Sequence, residues 1–417
     1  MRNIVVNALA LFSRHQPRYT SNMLATKKAV IPIVEQRVIT APMLLPILAG
    51  SASANLLNAT NLVDARARPM RDLRISVTDR CNFRCTYCMP KQVFNADYAY
   101  LPQADILSFE EITRVAKVAI SLGVLKLRIT GGEPLMRRNI ETLVAMLAAL
   151  RADAPALDIT LTTNGAALKQ KAHALKAAGL SRITVSLDSL DDATFRAIND
   201  VDFPVANVLA GIDVAEDAGF TNTKINMVVK RGVNDSHIVE MARYFRRANA
   251  ANIVRFIEYM DVGASNGWRM DEVLASRDVI ARINAVFPSK PVSPNHPGEV
   301  AKRWQYADGM GEFGVISSVT EAFCSSCTRA RLATNGALYT CLFASRGTDL
   351  KALLRGNGKG KGKANAAEND EVLRSALASI WSARQDNYSE LRTNATIAFD
   401  SNSPKTANKV EMSFIGG

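Results

Sequence analysis

The sequence predicts an α/β fold built on a parallel sheet, either an open doubly wound sheet or a partial (β/α) barrel. Three observations carry that expectation. From residue 73 onward, short β-branched runs alternate with longer helical patterns, and six such units follow one another. An unbroken βα series is the order that parallel crossover connections require. Polar and glycine-rich signals recur just after successive strands, at the carboxyl ends where ligands gather in both architectures.

Taken in order, the first strand, "LRISVT" (73–78), runs into "CNFRCTYC" (81–88), and the second, "KLRIT" (126–130), into "GGEP" (131–134). The third, "DITLTT" (158–163), precedes "NG" (164–165), and the fourth, "RITVSL" (182–187), precedes "DS" (188–189). "KINMVV" (224–229) and "NIVRFIE" (252–258) complete the six. Helical patterns are expected at 108–122, 138–151, 166–178, 206–218 and 235–248. Each turn signal alone is ordinary loop chemistry. Their shared position marks one end of the sheet as functional.

After residue 276 the alternation breaks into a proline-rich stretch (288–298) and then "CSSCTRARLATNGALYTC" (324–341). The run "RGNGKGKGKANAAEND" (355–370) has the composition of a flexible linker and is assigned no chemistry. A final helix is expected around 371–384, before a tail ending in Phe414, Ile415, Gly416 and Gly417. The expected organisation is a poorly ordered leader over 1–65, a partial barrel over 66–275 and a C-terminal region over 276–417.

Composition bounds the function classes. A chain of 417 residues, 48% hydrophobic, can bury a large core and is neither fibrous nor disordered. The net charge of +12 raises nucleic acid as a partner, but its distribution argues against one. The acid-free first 34 residues contribute +5, and Arg355, Lys359, Lys361 and Lys363 contribute +4, leaving +3 for the rest. No nucleic-acid partner is expected. The stretch "APMLLPILAGSASANLL" (41–57) is too short in its apolar core, and too interrupted by proline, to span a membrane. A soluble protein is expected. Residues 1–34 have the basic, Ser/Thr-containing composition of an organellar transit peptide, with a bacterial N-terminal extension as the alternative. The corresponding locations are the bacterial cytoplasm or, if the leader is a transit peptide, the mitochondrial matrix.

The six cysteines fall into two triplets, Cys81, Cys85, Cys88 and Cys324, Cys327, Cys341. Close spacing in a long chain without a secretory signal favours ligation over disulfides. Each triplet is one ligand short of a closed tetrahedral zinc site, and the four histidines do not supply the missing one within the motifs. Three thiolates on one loop can instead hold three irons of a [4Fe–4S] cubane and leave the fourth open to a ligand.

Three cysteines separated by three and then two residues, with Tyr87 just before the last, on the loop after a first βα strand and followed by "GGEP", resemble the signature of radical S-adenosylmethionine enzymes. The resemblance implies that the cofactor's methionine end chelates the open iron and that its sulfonium is cleaved to a 5′-deoxyadenosyl radical. It also implies an incomplete (β/α)6 TIM-like barrel with a C-terminal extension carrying a second iron–sulfur cluster. The second triplet, separated by two and then thirteen residues, is similar to that of the GTP 3′,8-cyclases, which begin molybdenum cofactor biosynthesis. That likeness runs from about Asp72 to the terminal Gly-Gly and implies two [4Fe–4S] clusters, the second holding guanine.

The same likeness assigns site residues. Tyr87 through its backbone, Gly132, Ser186 and Met260 match positions that contact S-adenosylmethionine. Arg74, Arg128, Thr162, Lys224, Arg329 and Arg331 match nucleotide contacts. The chemistry suits them: guanidinium forks meet phosphate oxygens in pairs, and Lys adds a point charge. Arg74 and Arg128 lie within mainly apolar strands, where a charge without a partner is costly. Gly416 and Gly417 match a double-glycine tail that enters the active site; with Arg329 and Arg331 they are the expected catalytic residues. The implied reaction removes the 3′ hydrogen of GTP and joins that carbon to C8 of guanine. The implied partners are a second copy of the chain and a downstream enzyme that accepts the unstable product. A two-cluster peptide-modifying radical enzyme is the nearest rival, but it leaves "TRAR" (328–331) without a reason.

Overall fold

The computed structural model describes residues 62–247, 252–355, 366–396 and 409–417. The leader residues 1–61 and the linker residues 356–365 lie outside them. All six expected strands form: β1 (Asp72–Ser76), β2 (Lys126–Thr130), β3 (Asp158–Thr163), β4 (Arg182–Ser186), β5 (Thr223–Val229) and β6 (Asn252–Glu258). Each pairs in parallel with the next.

The helices of this part are α1 (Phe109–Ser121), α2 (Ile140–Ala149), α3 (Leu168–Ala177), α4 (Asp192–Asn199), α5 (Val205–Asp217) and α6 (Ile238–Phe245). Their ends have local causes. Ser108 caps α1 by accepting from the Glu111 amide at 3.2 Å while the Glu111 carboxylate accepts from the Ser108 amide at 2.7 Å. Asp191 caps α4, a helix absent from the sequence-based expectation, by accepting from the Thr194 amide at 2.8 Å.

Strand periodicity sorts the two faces of the sheet. Leu73, Ile75, Leu127, Ile129, Ile159 and Leu161 are buried in one core cluster with Val115, Leu143, Leu147 and Leu175 from the helices. The alternate residues, among them Arg74, Arg128, Thr162 and Lys224, line a cavity on the other face. One helical layer and one cavity face describe a partial barrel, not a doubly wound sheet.

The C-terminal region continues this sheet at both edges, which the broken alternation after residue 276 concealed. Beyond α7 (Ser276–Asn284) come β7 (Ser289–Val292), β8 (Lys302–Tyr306), β9 (Glu312–Ile316), β10 (Arg329–Leu332), β11 (Ala337–Tyr339) and β12 (Thr348–Asp349). The order is β12-β11-β10-β1-β2-β3-β4-β5-β6-β9-β8-β7. Strand β9 extends β6 in parallel and β10 extends β1 in parallel, so the six expected strands sit inside a longer arc. The proline-rich stretch supplies edge strand β7, where Pro291 is tolerated.

Helix α8 (Lys351–Arg355) follows, and α9 (Ala366–Ser382) begins five residues before the expected helix. Arg355, counted with the basic linker, is ion-paired with Glu111 at 2.6 Å. After α9 come α10 (Tyr388–Thr396) and the short α11 (Met412–Ile415) in the tail. The described residues 62–65 fall in the stretch assigned to the leader, yet they include buried positions. Leu62 joins the core, and buried Asp64 is ion-paired with Arg68 at 2.6 Å and Arg384 at 3.1 Å.

Candidate active site

The cysteine loop after β1 is organised by its own arginine. Arg84 donates to the carbonyls of Cys81 at 2.7 Å, Phe83 at 2.8 Å and Phe94 at 2.9 Å. Phe83 anchors the loop between Phe195 and Phe203. The Cys85 thiol donates to Asn199 at 3.2 Å, and Asn164 reaches the Cys81 sulfur at 3.8 Å.

"GGEP" packs directly against this loop. The Gly132 amide donates to the Thr78 carbonyl at 2.8 Å, and a Cβ on Gly132 would lie 2.3 Å from the Arg80 carbonyl oxygen. Glycine is thus required here by backbone-to-backbone contact, before any cofactor is considered. Buried Glu133 accepts from the amides of Leu135 at 2.9 Å and Asn164 at 2.7 Å and from the Thr163 hydroxyl at 2.8 Å. Burial nevertheless pushes its carboxyl up to about 7.

Tyr87 donates from its hydroxyl to Asp188 at 2.7 Å, and the Val228 amide donates to the other oxygen at 2.8 Å. Burial raises the Asp188 carboxyl to about 6. Ser186 lies level with Asn226 across β4 and β5. Asn226 Oδ1 is buried and has no partner among the described residues, a free acceptor facing the same cavity.

The second triplet is brought in by the added strands. Cys324 and Cys327 flank a short turn before β10, and Cys341 follows β11. Arg68 donates to the Cys324 carbonyl at 2.7 Å and Arg384 to the Cys327 carbonyl at 2.7 Å, so the Asp64 cluster braces this loop. Arg329 donates to the Cys327 sulfur at 3.1 and 3.3 Å.

Between the triplets runs a row of cations. The β1–β10 register sets Arg74 opposite Arg331, and the β1–β2 register sets Arg74 opposite Arg128. Burial, with Arg331 and Arg128 alongside, drives the Arg74 guanidinium well below its usual range. Burial and Arg329 lower Arg331 to about 10, and burial with Arg255 lowers Lys224 to about 7. Arg74 Nε and Arg128 Nε are buried without partners among the described residues. Asp72 supplies part of the counter-charge to this row, and the excess positive charge left in a low-dielectric cavity suits a polyanion. Thr162 accepts from Arg128 at 3.3 Å, so it orients a cation besides facing the cavity.

The tail closes the site. Arg331 donates to the Gly416 carbonyl, and Gly417 lines the cavity. Gly416 has φ +79°, and a Cβ there would lie 2.3 Å from Thr130 Cγ2, so only glycine fits without displacement.

One cavity of about 1420 Å³ therefore brings together all six cysteines, Tyr87, Gly132, Ser186, Met260, Arg74, Arg128, Thr162, Lys224, Arg329, Arg331 and Gly417. Gly416 adjoins it. The sequence reading gave no role to Arg255, Asn226, Glu133 or Asp188, which line it too, although Glu133 and Asp188 fall within the "GGEP" and "DS" signals. Arg255 carried the same signal as Arg74 and Arg128, an arginine inside an apolar strand. All six cysteines are free thiols. No three His, Cys, Asp or Glu side chains among the described residues converge on a single metal ion. Three thiols on the first loop are a donor set that suits an iron–sulfur cluster.

Residues 75–245 match the model of the Radical SAM superfamily and residues 252–390 that of Molybdenum Cofactor Synthesis C. The fold agrees with Streptococcus suis SuiB, solved with S-adenosylmethionine (TM-score 0.51, 15% identity, 78% of this chain and 68% of that one). It also agrees with SuiB bound to precursor peptide SuiA (TM-score 0.52, 16% identity, 87% and 74%). The fold and the first cysteine loop define a radical S-adenosylmethionine protein, whose cofactors are S-adenosylmethionine and an iron–sulfur cluster. The GTP 3′,8-cyclase of Acidothermus cellulolyticus is 49% identical over 85% of this chain and 98% of its own length. That of Staphylococcus epidermidis is 47% identical over 85% and 98%. The chain belongs to the GTP 3′,8-cyclase family.

Proposed function

We propose that this chain converts GTP to 3′,8-cyclo-7,8-dihydro-GTP, as a lyase, in the first step of molybdenum cofactor biosynthesis. The observation that carries the reading is the joint opening of both cysteine triplets and the intervening cation row onto one cavity. Cys81, Cys85 and Cys88 are assigned to the first [4Fe–4S] cluster, and Cys324, Cys327 and Cys341 to a second. Tyr87, Gly132, Ser186 and Met260 are assigned to S-adenosylmethionine. When bound, these groups supply the 5′-deoxyadenosyl radical that takes the 3′ hydrogen of GTP.

The chain's own contribution is positioning. Arg74, Arg128 and Lys224 fix the triphosphate along the cavity wall, where their desolvated charges gain most from an anion. Arg329 and Arg331 hold the nucleotide beside the second cysteine loop. Gly416, packed against Thr130, and Gly417, packed against Met412, exclude water from the reacting ribose. The bacterial relatives favour a cytoplasmic protein. Among the described residues no helix is long and apolar enough to cross a membrane. A homodimer, and transfer of the product to the next enzyme, remain part of the proposal on family grounds.

Anaerobic reconstitution followed by incubation with S-adenosylmethionine, reductant and GTP tests the reading. About eight irons per chain and equal formation of 5′-deoxyadenosine and cyclised nucleotide are expected. Changing Arg329 or Arg331 to Ala weakens GTP binding by about ten- to a hundredfold and leaves the first cluster's absorbance intact. Radical formation with a peptide or another nucleotide, and not with GTP, would defeat it.

A further inference from the structure

The root of the tail, residues 409–411, is held by two carboxylate contacts on the loop that follows β6. Asp261, next in sequence to Met260, accepts from the Lys409 ammonium at 2.6 Å and from the Tyr388 hydroxyl at 2.6 Å, and pairs with Arg392. The Lys409 ammonium also donates to the Asp261 carbonyl at 2.9 Å. Burial opposes ionisation of Asp261, but Arg392, Lys409 and Tyr388 hold its carboxyl below the usual range. In the opposite sense, Glu411 of the tail accepts from the Ala264 amide at 3.2 Å and the Ser265 hydroxyl at 3.1 Å. Gly263 is essential to that contact: φ is +66°, and a Cβ would sit 2.2 Å from Glu411 Oε2.

The other side of the root touches the second cysteine loop. Val410 donates to the Ala344 carbonyl at 3.2 Å, and the Lys409 ammonium lies 5.4 Å from the ring of Phe343, whose amide faces the Cys341 sulfur at 3.5 Å. Phe343 stacks on Tyr388 at 4.4 Å, which closes the ring of contacts back to Asp261. Met260 is fixed by the same loop, its carbonyl accepting from Asn266 at 3.2 Å and from the Val262 amide at 2.9 Å. One short segment is therefore bonded to both walls of the cavity.

We propose that Asp261 is a positioning residue that clasps the tail to the β6 loop, so that docking of Gly416–Gly417 and binding of S-adenosylmethionine at Met260 stabilise each other. The proposal rests on the roles assigned above to Met260 and to the tail. Reciprocity follows from linkage: a ligand that orders Met260 orders the Asp261 backbone beside it, and with it the socket for Lys409 and Glu411.

Hydrogen–deuterium exchange on the reconstituted full-length protein, kept anaerobic, tests this with and without S-adenosylmethionine. In the parent chain the cofactor should slow exchange at Val410, Phe414, Ile415 and Gly416 by about tenfold. In Asp261→Asn these amides should exchange about tenfold faster, and the cofactor should no longer change their rate. Lys409→Met removes the clasp from the tail side, leaves the loop intact, and should give the same loss even if the Asp261 variant folds poorly. Tail exchange unchanged in the variants, or indifferent to cofactor in the parent chain, overturns the proposal. GTP turnover is read separately. Cofactor-dependent tail protection in a protein that forms 5′-deoxyadenosine without consuming GTP supports the clasp while defeating the GTP reading.

Discussion

The two cysteine loops carry the same number of thiols and line the same cavity, yet the charges that weigh most on Cys81 and on Cys327 are opposite in sign. Around the first, burial together with Glu133 pushes the Cys81 thiol up to about 12, and burial with neighbouring thiols and Asp188 drives Cys85 well above its ordinary value. Around the second, burial also raises Cys327, but Arg329 and Arg384 override it and bring the thiol down to about 6, while burial and Asp386 hold Cys341 up at about 11. The difference teaches that donor type sets what can be ligated, while the neighbouring charges set what each ligated group meets next. A carboxylate-rich, densely hydrogen-bonded loop suits a cofactor carrying an ammonium and a sulfonium. An arginine-rich loop suits an anionic nucleotide.

The comparison breaks most sharply at the thiols themselves. Cys85→Ser should abolish 5′-deoxyadenosine formation. Cys327→Ser should keep about four irons and cofactor cleavage while losing GTP turnover by more than about a hundredfold. Iron analysis and chromatography of both products distinguish the two, and equal loss of cleavage in both variants would remove the division of labour.

Packing supplies a second, smaller contrast. An added Cβ at Gly132 meets backbone, 2.3 Å from Arg80 O, which neither loop can relieve by rotating a side chain. Gly132→Ala should cost about 3 kcal/mol and deplete the first cluster. A Cβ added at Gly298 (φ +79°), beside the second loop, would lie 3.1 Å from Ser326 O. Gly298→Ala should cost about 1–2 kcal/mol, mostly from its left-handed backbone. Calorimetry of the two variants, compared at equal iron content, checks the order.

The smallest effect sharpens the electrostatic half. In the iron-free protein, alkylation of Cys327 should reach half its maximal rate near pH 6, where its thiolate forms, while Cys81 should react only toward about pH 12. Arg329→Gln removes a cation that favours the thiolate, so the Cys327 midpoint should move upward, by about one to two pH units. Mass spectrometry of alkylated peptides across pH reads both midpoints; coincident midpoints in the parent chain would contradict the contrast.

Much of this was legible before the fold. The six strands form where alternating β-branched residues placed them, because side-chain period is a local property of the backbone. Helix α4 escaped notice although Asp191 signalled its start. Arg255 was passed over although its strand read like those of Arg74 and Arg128. Its place opposite Asn226, level with the cavity, depends on register, which one strand does not encode. Strands β7 to β12 follow one another with no α-helix between them, so the segment after residue 276 read as a break in the βα series.

The sequence by itself determined the thiol spacings, the strand and helix positions, the glycine turns and the cations set among apolar residues. These rest on interactions between near neighbours in the chain. Only the tertiary structure decided that β10 pairs with β1, setting Asp72 level with Arg329 and Arg74 level with Arg331. That pairing turns two separate cysteine segments into one cavity and delivers the tail to Arg331. It is made by hydrogen bonds between strands far apart along the chain, and those are selected by the closure of the whole sheet.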